Sequence, residues 1–183
     1  MQTNSTYLYK KPIIVVDNTI SKLNRRVFKF ETGIFTNYKI KAGGILFYKI
    51  VNNKPEFLLI EENEFISDFG GKTELYDDTI YDTIAREVNE ETNSLFDKEI
   101  ILKILYDNNK FFYVYRSKYL LFLIDYNKYS HKLSNINGKE FFWTDTLDSI
   151  HKLNPRILAI KIKILQFINK IIENNYLKNV FIF

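Results

Sequence analysis

The sequence predicts an α/β domain, and three patterns carry that expectation. Short apolar runs separated by turn-prone residues fill the middle of the chain, as strands do. Among them lies one stretch, Ile80, Ile84 and Val88, in which apolar residues recur every four positions, as on one face of a helix. Near the end, Ile157, Ile160, Ile164, Leu165, Ile168, Ile171 and Ile172 repeat at helical spacing and predict a long helix laid on a sheet.

The elements follow in chain order. Residues 13–16 and 26–30 alternate apolar and polar, which predicts short strands around a turn near Asp17 and Asn18. Residues 44–50 and 56–60 read as a hairpin, because Val51, Asn52, Asn53, Lys54 and Pro55 between them favour a turn. The central helix is expected to start near Asp77, Asp78 or Thr79. Any of these caps free amides, and Thr79 with Asp82 is close to a capping box. Asn93 is its expected left-handed stop. Residues 100–105, 111–115, 119–125 and 140–143 then read as strands, with turns at Asn108-Asn109 and Asn137-Gly138. Asn154 and Pro155 supply the cap and first residue of the closing helix.

No repeat, linker or run of like charge marks a boundary, so residues 1–183 are expected to form one domain, with residues 1–40 an N-terminal extension. Apolar residues make up 46% of the chain and charged ones 26%, a balance that suits neither a disordered chain nor one built around a membrane span. The longest apolar stretches, residues 119–124 and 181–183, are too short to cross a bilayer, and no charged-then-apolar leader opens the sequence. No membrane partner and a cytoplasmic or nuclear address are therefore expected. The lack of cysteine excludes disulfides, thiolate zinc sites and cysteine nucleophiles. His131 and His151 read as surface residues, which leaves any metal to oxygen ligands. A net charge of +4 favours polyanionic partners such as nucleotides, RNA or other phosphorylated molecules.

Chemistry concentrates on the central helix. Glu87, Glu90 and Glu91 stand at i, i+3 and i+4, so their carboxylates share one side and repel one another. A hard divalent cation offsets that repulsion well: Mg²⁺ takes carboxylate oxygens, keeps several waters and shares its remaining positions with substrate phosphates. Upstream, Gly70-Gly71-Lys72 can bring bare backbone and a lysine charge close to a ligand. Elsewhere, Trp143 and the other aromatics read as core, and Arg25-Arg26 as a surface pair.

Together, Gly70-Gly71-Lys72-Thr73-Glu74, the cap residues and Arg86-Glu87-Val88-Asn89-Glu90-Glu91-Thr92-Asn93 resemble the Nudix box, G-x5-E-x7-R-E-U-x-E-E-x-G-U, where U is bulky and apolar. Ala42-Gly43-Gly44 before the box and Phe141-Phe142-Trp143 after it also look like the family. The resemblance implies a Nudix-like α/β/α sandwich with a mixed central sheet, and an Mg²⁺- or Mn²⁺-dependent hydrolase of a diphosphate linkage. It implies Glu87, Glu90, Glu91 and the Gly70 carbonyl as metal ligands, Glu87 as an aid to water activation, and Arg86 as an orienting partner. Gly70, Gly71 and Lys72 would bind phosphate. Glu140 is the candidate for an acid or base outside the box.

Three departures stand out. One extra residue separates Gly71 from Arg86, so the family's first glutamate falls on Asp77 or Asp78. Asn93 replaces the last glycine, and Ser94 the apolar residue after it. The implied substrate is a nucleoside diphosphate linked to another group. Capped mRNA, a diphosphoinositol polyphosphate, and a silent nucleotide- or RNA-binding role are the alternatives.

Overall fold

The computed structural model describes residues 13–31, 36, 38–62, 64–133 and 141–180, with side chains as far as residue 174. Strands β1 (Ile14–Asp17), β2 (Val27–Phe30) and β3 (Lys39–Ile40) form a small antiparallel sheet. The main sheet has seven strands. Its path runs β10 (Phe141–Thr144), β5 (Lys54–Glu62), β4 (Ala42–Val51), β9 (Tyr119–Asp125), β8 (Phe111–Val114), while β6 (Phe65–Ser67) pairs with β5 and β7 (Phe69–Lys72) with β4. Strands β4 and β9 run parallel and the other pairs antiparallel, so the sheet is mixed.

Alternation within the central strands explains why both faces are covered. On β4, Ile45 and Phe47 point into one core and Leu46 and Tyr48 into another; Leu120, Phe122 and Ile124 on β9 oppose Leu121 and Leu123 in the same way. The first core receives helices α1 (Ile80–Glu91) and α2 (Lys98–Asp107) and residues Phe28, Phe30 and Ile40 of the small sheet. The second receives Ile157 of α4 (Pro155–Leu158) and Ile164 and Ile168 of α5 (Lys161–Val180). A short helix, α3 (Tyr126–Tyr129), follows β9. Among the described residues no helix is long and apolar enough to cross a membrane.

The hairpin between β4 and β5 turns at Asn52 and Asn53, both left-handed with φ of 50° and 60°, as a tight type I′ connection requires. Helix α1 opens at Thr79, where the capping box is complete: Thr79 Oγ1 accepts from the Asp82 amide at 3.1 Å and Asp82 Oδ2 accepts from the Thr79 amide at 2.8 Å. It ends as Asn93 and Ser94 turn left-handed. Ile80, Ile84 and Val88 are fully buried, and burial of each contributes about 1.5–3 kcal/mol.

Two expectations need correction. Residues 100–105 form part of helix α2 rather than a strand. Asp97 Oδ1 caps the Glu99 and Ile100 amides, and Ile101, Ile104 and Leu105 then bury one helical face against α1. A short apolar run fits either period, and the cap decides. The closing helix is broken in two: Asn154 and Pro155 do start it, but the chain tightens at Ala159 and Ile160, where the Ile160 amide bonds to the Ile157 carbonyl, before α5 resumes. The turn expected at Asn137-Gly138 lies outside the described residues.

Candidate active site

The site begins where β7 lies beside β4. Gly44 pairs with Gly70. A Cβ on Gly44 would lie 2.0 Å from the Tyr119 hydroxyl and 2.3 Å from the Phe69 carbonyl, so only glycine lets the two backbones meet. Gly70 itself has φ of +149°, a conformation that side chains rarely tolerate. One residue on, a Cβ on Gly71 would stand 2.4 Å from the Glu87 carboxyl. The glycine pair thus lets the α1 carboxylates lie directly on the β7 backbone. Glu91 Oε2 accepts from the Gly70 amide at 2.8 Å.

Arg86 organises this end of α1. It is largely buried, with 12% of its side chain exposed, and grips Asp77 with Nε and Nη2, each at 3.3 Å. The same guanidinium donates from Nη2 to the Lys72 carbonyl at 3.0 Å, and from Nη1 to Glu87 Oε1 at 2.9 Å and Glu90 Oε2 at 3.2 Å. It therefore ties the end of β7 and the turn after it to the helix, and offsets part of the glutamate repulsion. Asp77 also accepts from the Glu74 amide at 2.7 Å and Thr83 Oγ1 at 2.8 Å. Of the two acids in the turn before α1, Asp77 is buried and holds Arg86. Asp78 is exposed and faces Arg26 at 3.5 Å.

Electrostatics divide the carboxylates. Burial pushes the Glu91 carboxyl up to about 9, and the charges of Asp68, Glu62 and Glu87 add to that rise against the Gly70 hydrogen bond. Burial also raises Glu87, with Arg86 working against it. Glu90 projects outward with 57% of its side chain exposed. Burial works against the Arg86 charge, but Asp77 and Glu87 outweigh it and hold its pKa above the ordinary arginine value.

Gly70, Gly71, Lys72, Glu87 and Glu91 share one open cleft of about 740 Å³. Glu90 enters the cluster through Arg86. Among the described residues no three acidic or histidine side chains converge as a ready-made ligand set; Glu87 and Glu90 share Arg86 while Glu91 turns to Gly70. The Gly70 carbonyl faces Arg156 Nη2 at 3.4 Å. Glu140 lies outside the described residues. His131 and His151 are exposed, and Trp143 packs its edge on Tyr126 beneath the Lys49 ammonium.

Several residues of the site have no signature in the sequence. Asp68, fully buried, accepts from Arg156 Nε at 2.9 Å and from the Tyr119 hydroxyl at 2.6 Å, and Arg156 stacks over the Tyr119 ring. Burial and then the Asp68 charge raise the Tyr119 phenol well above its ordinary range. Asp68 and Arg156 lie far apart in sequence and meet because β7 and the start of α4 converge beside Gly70. The only local hint is a charged residue within two positions of each of two structural signals, the glycine pair and the Asn154-Pro155 cap. Arg25 and Arg26, expected on an ordinary surface, also line the cleft.

Compared with models of known protein families and with curated proteins, the chain matches none.

Proposed function

We propose that this chain is a Nudix-type pyrophosphohydrolase, an α/β/α sandwich that uses Mg²⁺ or Mn²⁺ to cleave the P–O–P linkage of a substrate built on a nucleoside diphosphate. The observation that carries the reading is the contact between the α1 carboxylates and the Gly70–Gly71 backbone inside the cleft, locked by Arg86 and Asp77.

The residues suit a hard cation. Every donor is oxygen, and Glu91 is a buried carboxyl, raised to about 9, whose ionised form a hard cation would favour. Glu87, Glu90, Glu91 and the Gly70 carbonyl are the groups that would hold the ion. A bound Mg²⁺ or Mn²⁺ supplies charge neutralisation on the phosphate oxygens and a lowered pKa for water.

The chain's own groups do the rest. Lys72, exposed at the cleft, binds a phosphate oxygen beside the glycine pair. Glu87, whose carboxyl is raised by burial, accepts the proton of the attacking water. The water oxygen bonds to one phosphorus, the bond from that phosphorus to the bridging oxygen breaks, and the second phosphate leaves with the bridging oxygen. Arg86 is a positioning residue that holds Glu87 and Glu90 while Asp77 anchors it.

Product analysis by chromatography tests the proposal, on a panel of ADP-ribose, NADH, dinucleoside polyphosphates, nucleoside triphosphates, capped RNA and diphosphoinositol polyphosphates. Cleavage of a panel member with Mg²⁺ or Mn²⁺, absent with EDTA and in Glu90→Gln, is the expected result. Binding without cleavage across the whole panel overturns it.

A further inference from the structure

We propose that the loop between β1 and β2, together with Lys41, forms an anion subsite in the same cleft, one that takes a phosphate group of the substrate beyond the two joined by the cleaved bond. The place of cleavage rests on the hydrolase reading above; the subsite rests on the loop itself.

The loop is built as a fixed wall. The Ser21 amide donates to the Arg25 carbonyl and the Arg25 amide to Ser21 Oγ, both at 3.0 Å, and Asn24 closes the turn with φ of 56°. Three tethers then hold it to the box segment: Thr73 Oγ1 donates to the Arg26 carbonyl, Arg25 meets Glu74 at 3.5 Å, and Arg26 meets Asp78 at 3.5 Å. Through these contacts the N-terminal sheet delivers Lys22, Arg25 and Arg26 to the cleft beside Lys41 and Lys72.

Charge gives the wall its meaning. Counting Arg156, six lysines and arginines line the cleft against four glutamates. The acids are largely engaged: Glu74 with Arg25, Glu87 with Arg86, and Glu91 with the Gly70 amide. Lys22, Lys41 and Lys72 have no acidic partner within 4.0 Å among the described residues. Lysines gathered without counter-charge repel one another, and an anion relieves that repulsion. A diphosphate held at Gly70, Gly71 and Lys72 leaves Lys22 and Lys41 unused, and the cleft, at about 740 Å³, has room for a whole ligand. A third phosphate uses them. It can come from a chain, as in a dinucleoside polyphosphate, or from a ring, as in a diphosphoinositol polyphosphate.

The test uses the full chain, Lys22→Gln, and Lys22→Gln combined with Lys41→Gln. Lys22 is exposed, so the single variant leaves the fold intact. Inorganic tripolyphosphate is titrated calorimetrically in EDTA. Its Kd should weaken roughly threefold in the single variant and tenfold in the double, the scale of one and two exposed charge pairs. In parallel, the ratio of kcat/KM for each polyphosphate substrate to that for ADP-ribose should fall by a similar factor, and the arm that falls names the source. Weakened tripolyphosphate binding with no substrate cleaved by the parent keeps the subsite and rejects the hydrolase reading. Equal tripolyphosphate affinity in all three proteins overturns the subsite, whatever hydrolysis is seen.

Discussion

Replacing Arg86 with Met keeps much of the side-chain volume and removes the charge and every donor. Asp77, with 2% of its side chain exposed, would then keep only the Glu74 amide and the Thr83 hydroxyl, and the Lys72 carbonyl would lose a donor. Breaking one side of a buried ion pair costs about 3–5 kcal/mol, and the two surviving donors place this case near 3. For a domain of this size each kcal/mol moves Tm by about 2–4 °C, so Arg86→Met should lower the midpoint by roughly 6–12 °C. The assay is thermal unfolding followed by circular dichroism in EDTA, with urea unfolding as a check that the m-value is unchanged. Combining Arg86→Met with Asp77→Asn removes the orphaned charge, so the double variant should recover on the order of 1–2 kcal/mol relative to the sum of the singles. A loss below about 2 °C, or strict additivity, would refute the assignment of Asp77 as the anchor of Arg86.

Other expectations follow from the same geometry. In EDTA the fold should weaken as pH rises. Glu91 titrates near 9 when folded against an ordinary value of 4.5, so the folded state binds the extra proton, and that stabilisation is complete below about pH 4.5 and lost as pH climbs through about 9. Thermal midpoints measured from pH 5 to 9 should show the decline, with Glu91→Gln flattening it and saturating Mg²⁺ opposing it. Gly71→Ala forces a methyl group against the Glu87 carboxyl, so turnover should drop roughly 100-fold or more while Tm changes little, as steady-state kinetics and calorimetry would reveal. Gly44→Ala has no such escape, since its Cβ would strike the Phe69 backbone carbonyl as well as Tyr119; a loss above about 4 kcal/mol, or no folded protein, is expected by denaturant titration. Glu90→Gln sits on an exposed side chain and should shift stability by no more than about 0.5 kcal/mol, so its loss of metal-dependent turnover would be chemical rather than structural.

Much of the architecture was legible because local signals and burial agree. Thr79 with Asp82, the Asn52-Asn53 turn and the Asn154-Pro155 cap each act through bonds to their own neighbours, which sequence spacing records. Residues 100–105 were misleading because a six-residue apolar run has no unique period, and the Asp97 side chain decides between helix and strand. Gly70, Gly71, Lys72, Arg86, Glu87 and Glu91 could be grouped from spacing because one short strand and the helix that follows it position them all. Asp68, Tyr119, Arg156 and the β1–β2 loop could not, since their contacts form only after distant strands and helices pack. The choice between Asp77 and Asp78 was equally closed to sequence, because it depends on which carboxylate the turn after β7 points inward.

The most direct test of the central claim is a single turnover of the panel's best substrate in water enriched in the heavy oxygen isotope, with the products weighed by mass spectrometry. Hydrolysis at the diphosphate predicts one heavy oxygen on a phosphate of one product, appearing with Mg²⁺ or Mn²⁺ and absent with EDTA or in Glu90→Gln. Products formed without label on phosphorus, or at the same rate in EDTA and in Glu90→Gln, would contradict it.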